Sequence, residues 1–123
     1  MKNTIIWFEI NVADLARAKK FYDHVLQTNI RKEAMEGYPP MGIIPDEGVN
    51  GALVEDEEYE APEHSGVMLY FDGSSGINPY LEPVEEAGGE VLVPRSFVNE
   101  PVGYWAAFSD LDVNLLAFYE SPQ

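Results

Sequence analysis

The sequence has no cysteine among its 123 residues and only two histidines. The lack of cysteine excludes disulfides, thiolate nucleophiles and cysteine-ligated zinc sites. No window approaches the roughly 20 consecutive apolar residues that a membrane-spanning helix needs. The first ten residues carry one lysine and a short apolar run that Glu9 interrupts, unlike a secretory signal peptide. We therefore expect a cytoplasmic protein with no membrane partner.

Basic residues are also scarce, since seven lysines and arginines stand against 22 acidic residues. The formal charge of −15 argues against nucleic acid as a partner, because phosphate contacts need a basic face. An anionic membrane surface would be repelled for the same reason. So acidic a protein is kept soluble by its charge, and a negatively lined cleft in it would also attract cationic ligands.

The length of the chain fits a single domain, 1–123, with one pattern of elements in each half. In the first half, alternation over Thr4–Val12 predicts a strand. Asp14 is a good N-cap for the amphipathic helix that follows. Three short strands are predicted up to Glu55, and residues 56–65 form an acidic linker.

The same order then returns in the second half, with a strand at Gly66–Asp72 and a helix opened by Asn78 as N-cap and Pro79. A single βαβββ module leaves one face of its sheet bare. We therefore predict an α+β protein whose modules, at about 1–55 and 66–120, form an eight-stranded, cup-shaped half-barrel with a pocket on its concave side. The three last strands are predicted at Glu90–Pro94, Gly103–Ser109 and Asn114–Glu120, with Ser96–Gly103 as a lid or a plain connector.

Four segments resemble the vicinal oxygen chelate superfamily, which includes glyoxalase I, bleomycin and fosfomycin resistance proteins and extradiol dioxygenases. They are FEINVADLARAKKFYDHVL (Phe8–Leu26), VMLYFD (Val67–Asp72), EEAGGEVLVP (Glu85–Pro94) and GYWAAFSDLDVN (Gly103–Asn114). The resemblance implies the glyoxalase-like fold and a homodimer. The last turn reads Asp-Leu-Asp-Val-Asn where the superfamily has proline and glycine. One fold hosts many functions, so the resemblance does not by itself name an activity.

Metal enzymes of this superfamily hold a divalent ion with His, Glu or Gln from the first, fourth, fifth and eighth strands. The resemblance places these positions at Trp7, Glu55, Gly66 and Ala117. Indole, glycine and alanine offer no atom to a metal ion, and a catalytic site needs about three protein ligands. We therefore expect no metal and no other cofactor.

Strand alternation also predicts which side chains line the pocket. The aromatic ones would stack on a flat or cationic guest, and Glu9 would bind a positive group or act as a general base. The same alternation is compatible with ordinary core residues and a solvated Glu9, and it does not fix the direction of Trp105. The predicted ligand-binding residues are Trp7, Glu9, Asn11, Met68, Tyr70, Trp105, Ala117 and Tyr119.

The favoured function is a metal-free protein that binds a small molecule in the manner of bleomycin resistance proteins and sequesters a cationic or aromatic ligand. The alternative is a metal-dependent lyase, isomerase or dioxygenase related to lactoylglutathione lyase, with a rearranged site of Glu9, Glu55 and His64. A third alternative is a regulatory or structural dimer with a filled cup. The sequence leaves open whether the protein is an enzyme, which ligand it takes and how a dimer is built.

Overall fold

The computed structural model describes residues 5, 7–34, 36–37, 39–58 and 68–122. The chain divides into two compact units, Met1–Glu60 and Ala61–Gln123. Each unit contains an open four-stranded sheet and one helix. The elements are β1 (Trp7–Val12), α1 (Leu15–Leu26), β2 (Arg31–Glu33), β3 (Met41–Ile44), β4 (Asn50–Glu55), β5 (Leu69–Asp72), α2 (Asn78–Glu86), β6 (Glu90–Asn99), β7 (Gly103–Ser109) and β8 (Leu115–Glu120).

This order confirms the predicted α+β class with two βαβββ modules, one in each unit. The single domain and the eight-stranded cup concern the arrangement of the two units, and they stay predictions, as does the homodimer. Most of the predicted linker lies outside the described residues. Neither described helix is long and apolar enough to cross a membrane.

In the first unit, α1 packs on one face of a sheet with the strand order β1-β4-β3-β2. β1 and β4 run parallel, while β3 is antiparallel to both of its neighbours. The register places Ile10 beside Leu53, and Leu53 beside Gly42. A Cβ on Gly42 would come within 2.6 Å of the Ile30 side chain and 3.4 Å of the Leu15 side chain on α1. This row of residues therefore faces the helix.

Two carboxylates meet the amino end of α1. Asp14 is the N-cap, as predicted, and its Oδ1 accepts the N–H of Arg17 at 3.1 Å. Glu55, the last residue of β4, accepts the N–H of Leu15 through Oε2 at 2.8 Å. Both bonds satisfy N–H groups that have no partner inside the helix, and the negative charges suit the helix dipole. The Glu55 side chain is thus directed toward α1.

In the second unit, the strand order is β5-β8-β7-β6, with β5 parallel to β8 and the other pairs antiparallel. Aromatic rings fill the space under α2. Tyr80 of α2 stacks on Phe118 with centroids 4.9 Å apart, and Phe118 stacks on Phe108 at 5.3 Å. Phe71 joins the cluster at 5.7 Å from Phe118. Since neighbours along a strand point to opposite faces, the residues next to these rings face away from α2.

The amino end of α2 is also met by the last residue of its module. Glu120 of β8 accepts the N–H of Ile77 through Oε1 at 3.0 Å. The same carboxylate accepts two hydrogen bonds from the Arg95 guanidinium, at 2.9 and 2.8 Å. The bonds from Arg95 and, after them, the bond from Ile77 lower the pKa of Glu120 to about 2. The Arg95 guanidinium also lies over the Tyr104 ring, 3.6 Å from its centroid.

The start of α2 differs from the sequence prediction, which makes Asn78 the N-cap. Ile77 takes that position, and no side-chain hydrogen bond from the cap residue itself is formed. Glu120 supplies the acceptor from 43 residues away, a contact that a local pattern cannot reveal. Pro83 lies inside α2, and the helix continues past it.

Strand β6 is longer than predicted. The sequence predicts its end at Pro94 and assigns Ser96–Gly103 to a lid or connector, but β6 reaches Asn99 and stays paired with β7. Shifts in register, one of them spanning Pro94, let the strand pass a residue that cannot donate a ladder hydrogen bond. Only residues 100–102 remain as a connection, and we call them the hairpin tip.

The turn between β7 and β8 is closed by Asp110. Its carboxylate accepts the backbone N–H groups of Asp112 and Asn114 and the side-chain amide of Asn114, each at 2.9 Å. Val113 in this turn has a φ of +64°. This left-handed conformation suits glycine and strains a β-branched residue. The turn thus holds valine in a conformation that glycine would adopt more easily.

Val113→Gly should stabilise the protein. The left-handed conformation costs a non-glycine residue ~1–2 kcal/mol, and glycine removes this cost. Part of the benefit is offset because glycine has more conformational freedom in the unfolded chain. We therefore expect the free energy of unfolding to rise by about 0.5–1 kcal/mol. Val113 is 47% exposed, so little packing is lost. Urea denaturation measures the free energy of unfolding. Val113→Ala, which keeps a Cβ, is the matched control and should gain less; a glycine variant less stable than the parent would contradict the strain.

Glu120 should make stability depend on pH. Its folded-state pKa of about 2 lies below the ordinary 4.5, so its contribution is fully present above pH 4.5 and is lost as the pH falls toward 2. Glu120→Gln should therefore be less stable than the parent at pH 7, and the difference should shrink at pH 3. Denaturant melts at both pH values test this. Glu90→Gln, which removes an exposed carboxylate of β6, is the control and should stay within ~0.5 kcal/mol of the parent at pH 7. A difference that is constant with pH would rule out the assigned pairing.

Candidate functional site

The sheet of the second unit packs one face against α2, and its other face carries most of the second-unit side chains predicted for the site. The parallel pairing of β5 with β8 places Tyr70 beside Ala117 and Asp72 beside Tyr119. The antiparallel pairing of β7 with β8 places Trp105 beside Tyr119. Directly paired residues share a face of a sheet. Three aromatic side chains and one carboxylate are therefore brought to the same surface.

A cavity of about 680 Å³ opens on this surface. Its volume lies in the range of ~300–1,000 Å³ that small-molecule sites occupy. Among the described residues, the hairpin of β6 and β7 forms one wall of the cavity, and β5 and β8 form another. Six of the seven described lining residues are apolar or aromatic, and the seventh, Asp72, carries a charge. The lining residues are Tyr70, Phe71, Asp72, Val98, Val102, Trp105 and Tyr119.

The hairpin wall is tied to the neighbouring strand β8. The hydroxyl of Tyr119 donates to the carbonyl of Val102, and the N–H of Val102 donates to Oδ1 of Asn99 at 2.9 Å. Gly103, directly after the tip, has a φ of +101°, and a Cβ there would collide with the carbonyl of Glu120. These contacts hold the hairpin tip against β8, so the cavity wall is preformed.

Asp72 is the charged group of the cavity. Hydrogen bonds from the Ser74 side chain and, after it, from the Ser74 backbone N–H at 2.9 Å hold the pKa of Asp72 below its ordinary 3.8. Both bonds stabilise the ionised form, so the side chain is anionic at neutral pH. The next residue, Gly73, donates its N–H to the carbonyl of Tyr119 at 2.7 Å. The end of β5 that carries the carboxylate is thereby attached to β8.

Of the five residues predicted for the site in this unit, the structure brings Tyr70, Trp105 and Tyr119 together around the cavity. Ala117 shares their face but is fully buried, with none of its surface exposed, and it does not line the cavity. Met68 directly precedes β5, is half-buried, and also lies outside the lining. The direction of Trp105, which the sequence left open, is settled by its pairing with Tyr119.

The other three predicted residues lie on β1 of the first unit. Trp7, Glu9 and Asn11 alternate along the strand and are exposed on the sheet face opposite α1. The indole N–H of Trp7 donates to Oε2 of Glu9 at 3.2 Å. These side chains therefore form an open polar and aromatic strip on their own sheet. Their role in ligand binding stays a prediction.

The alternative metal site would need Glu9 and Glu55 together. They lie on opposite faces of the first sheet, because Glu55 is directed toward α1 and Glu9 is on the face opposite α1. His64 lies outside the described residues. Within the described part of the chain, no three His, Cys, Asp or Glu side chains come together in a way that could hold a metal ion. Trp7 and Ala117 carry no metal-ligating atom. The loss of the superfamily's metal ligands therefore stays a prediction.

Four lining residues of the cavity were not among the predicted site residues: Phe71, Asp72, Val98 and Val102. Asp72 lies two residues after Tyr70 on the same strand, so the alternation that selected Tyr70 also selects Asp72. Val98 and Val102 enter the wall only because β6 continues past Pro94. A proline is a local signal for the end of a strand, so the sequence prediction ended β6 at Pro94 and did not assign Val98 and Val102 to it.

Solved structures of the same fold match nearly the whole chain. A glyoxalase/bleomycin resistance protein from Albidiferax ferrireducens T118 has a TM-score of 0.76 at 19% identity, covering 98% of this chain and 100% of that one. A glyoxylase/bleomycin resistance protein/dioxygenase domain from Frankia sp. EAN1pec has a TM-score of 0.75 at 17% identity, covering 98% and 93%. The fosfomycin resistance protein FosX from Listeria monocytogenes has a TM-score of 0.74 at 16% identity, covering 98% and 95%. At these identities the likeness concerns the fold.

A search of curated proteins found no match. The family model described as Glyoxalase/Bleomycin resistance protein/Dioxygenase superfamily matches residues 4–118, which include every helix and nearly all strand residues. The match agrees with the two βαβββ modules and with the fold of the solved structures. The chain therefore belongs to the glyoxalase/bleomycin resistance protein/dioxygenase superfamily.

Proposed function

We propose that this protein binds a small organic molecule in the cavity of its second unit and does so without a metal ion. The observation that carries the proposal is a preformed cavity of about 680 Å³, whose described lining includes one carboxylate, Asp72, and three aromatic side chains on the same face of the sheet, Tyr70, Trp105 and Tyr119. Binding of this kind sequesters a guest and requires no chemical step. This is the role that the sequence resemblance to bleomycin resistance proteins suggested.

The aromatic side chains favour a flat guest. Tyr70 is 57% exposed, so much of its ring is available for contact. Trp105 and Tyr119 are partly exposed on the same surface. A stacked aromatic pair contributes ~0.5–1.5 kcal/mol beyond the area that it buries. A planar ring that lies among these side chains would gain from several such contacts.

The charge of the cavity argues against an anionic guest. A Glu-to-Gln mutant of FosX from Listeria monocytogenes has been crystallised with Mn(II) and 1S,2S-dihydroxypropylphosphonic acid, an anion at neutral pH. The lining residues that the structure describes in the present cavity include Asp72 but no lysine or arginine. The formal charge of −15 repels anions over a longer range. A cationic or neutral aromatic guest suits this cavity better than a phosphonate.

The purified protein should contain no stoichiometric divalent metal by elemental analysis. Its melting temperature should be unchanged by EDTA and by added Mn²⁺, Ni²⁺ or Zn²⁺, because an ion that bound the folded state would raise it. The Glu-to-Gln mutant of FosX from Listeria monocytogenes, which was crystallised with Mn(II), is the positive control. Bound metal, or a melting temperature that rises with one of these ions, would favour the alternative enzyme.

A thermal-shift screen would first identify an aromatic ligand. Tyr70→Ala should then lower the affinity for that ligand about tenfold, because a stacking contact is lost. Affinity can be followed by Trp105 fluorescence in a Trp7→Phe background, since the chain has two tryptophans. Phe97→Ala is the matched control: Phe97 is 58% exposed on the same sheet, contacts Tyr104 and does not line the cavity. It should leave the affinity unchanged. Equal losses in the two variants would place the binding site elsewhere.

A further inference from the structure

We infer that the ligand of this cavity is an organic amine attached to an aromatic ring, and that Asp72 binds its positive group. The inference rests on the proposed function and adds the class of the ligand and the residue that selects it. The sequence had assigned the positive group to Glu9. The cavity, however, is lined by Asp72 and not by Glu9.

The position of Asp72 allows one ligand to contact the carboxylate and the rings together. Asp72 is paired with Tyr119 across the strands and lies two residues from Tyr70 on β5. Two residues along a strand span about 6.6 Å. A cation at Asp72 would therefore lie within reach of a ring beside Tyr70 if one or two carbon atoms separated the amine from that ring. Trp105, which is paired with Tyr119, adds an aromatic face on the other side.

The surroundings of Asp72 favour a cation over a neutral group of the same shape. The carboxylate is kept in place by the N–H of Ser74, and none of the described lining residues is a lysine or arginine that could neutralise it. A neutral guest that covered Asp72 would take a charge out of water without giving it a partner, which is costly. An amine supplies that partner, and the rings of Tyr119 and Trp105 attract cations through their faces.

Glu9, to which the sequence assigned the positive group, has a hydrogen-bond partner on its own strand. Its Oε2 accepts the indole N–H of Trp7, and both residues belong to β1 of the first unit. The lining residues of the cavity that the structure describes all belong to the second unit. Among them, Asp72 is the residue that carries a charge.

The test compares three probes with the same ring and different head groups: 2-naphthylmethylamine, 2-naphthylmethanol and 2-naphthoic acid. Isothermal titration calorimetry at neutral pH and low salt gives their affinities for the full-length protein. We expect the amine to bind at least about tenfold more tightly than the alcohol, as a charge-assisted contact provides, and the acid to bind most weakly. Asp72→Asn should lower the affinity for the amine to that for the alcohol and leave the affinity for the alcohol unchanged.

Glu85→Gln is the matched control, because it removes one exposed carboxylate from α2, on the opposite face of the same sheet. It changes the net charge by the same amount and should leave the preference for the amine intact. Equal binding of amine and alcohol, or equal losses in Asp72→Asn and Glu85→Gln, would overturn the inference while the proposed function stands. If none of the probes and none of the screened ligands binds, the proposed function fails and the inference fails with it.

Discussion

The pairing of β8 with β5 on one side and β7 on the other is the constraint on which the candidate site depends. The parallel ladder to β5 and the antiparallel ladder to β7 align Tyr70, Asp72 and Trp105 with the exposed face of β8. The opposite face is occupied by the ring cluster around Phe118, which packs under α2. A shift of one residue in either ladder would exchange the two faces, so burial of the rings also determines what the cavity contains.

A second constraint is common to the two modules, although their sequences share little. Each last strand ends in a glutamate, Glu55 in the first module and Glu120 in the second, and each carboxylate accepts an N–H at the start of the helix of its own module. A helix begins with N–H groups that lack partners, and a carboxylate both satisfies them and suits the helix dipole. Acidic residues at these positions therefore serve the fold, even in a chain whose many acids invite a search for metal ligands.

In the proposed function, the cavity and the overall charge would favour the same kind of guest over different distances. The field of a protein with a formal charge of −15 raises the local concentration of cations, and salt screens this effect. Asp72 lines the cavity itself, so it would act on the proposed guest at contact distance. The hydrogen bond from Tyr119 to Val102 keeps the hairpin wall in place, so little ordering is required when a guest enters.

The sequence by itself determined the class of the fold, because the signals for it are local. Alternation predicted β1, Asp14 marked the start of α1, and the repeated order of elements defined two modules. Alternation also placed Tyr70 and Tyr119 at the site, since the two faces of a strand can be read from parity alone.

Tertiary structure decided the features that depend on residues distant in the chain. The caps of Leu15 and Ile77 come from glutamates 40 and 43 residues away. The extension of β6 past Pro94 required β7 as a partner. A backbone N–H or C=O group can form its hydrogen bond with any partner that the fold brings near, so only the folded chain shows which residue is that partner.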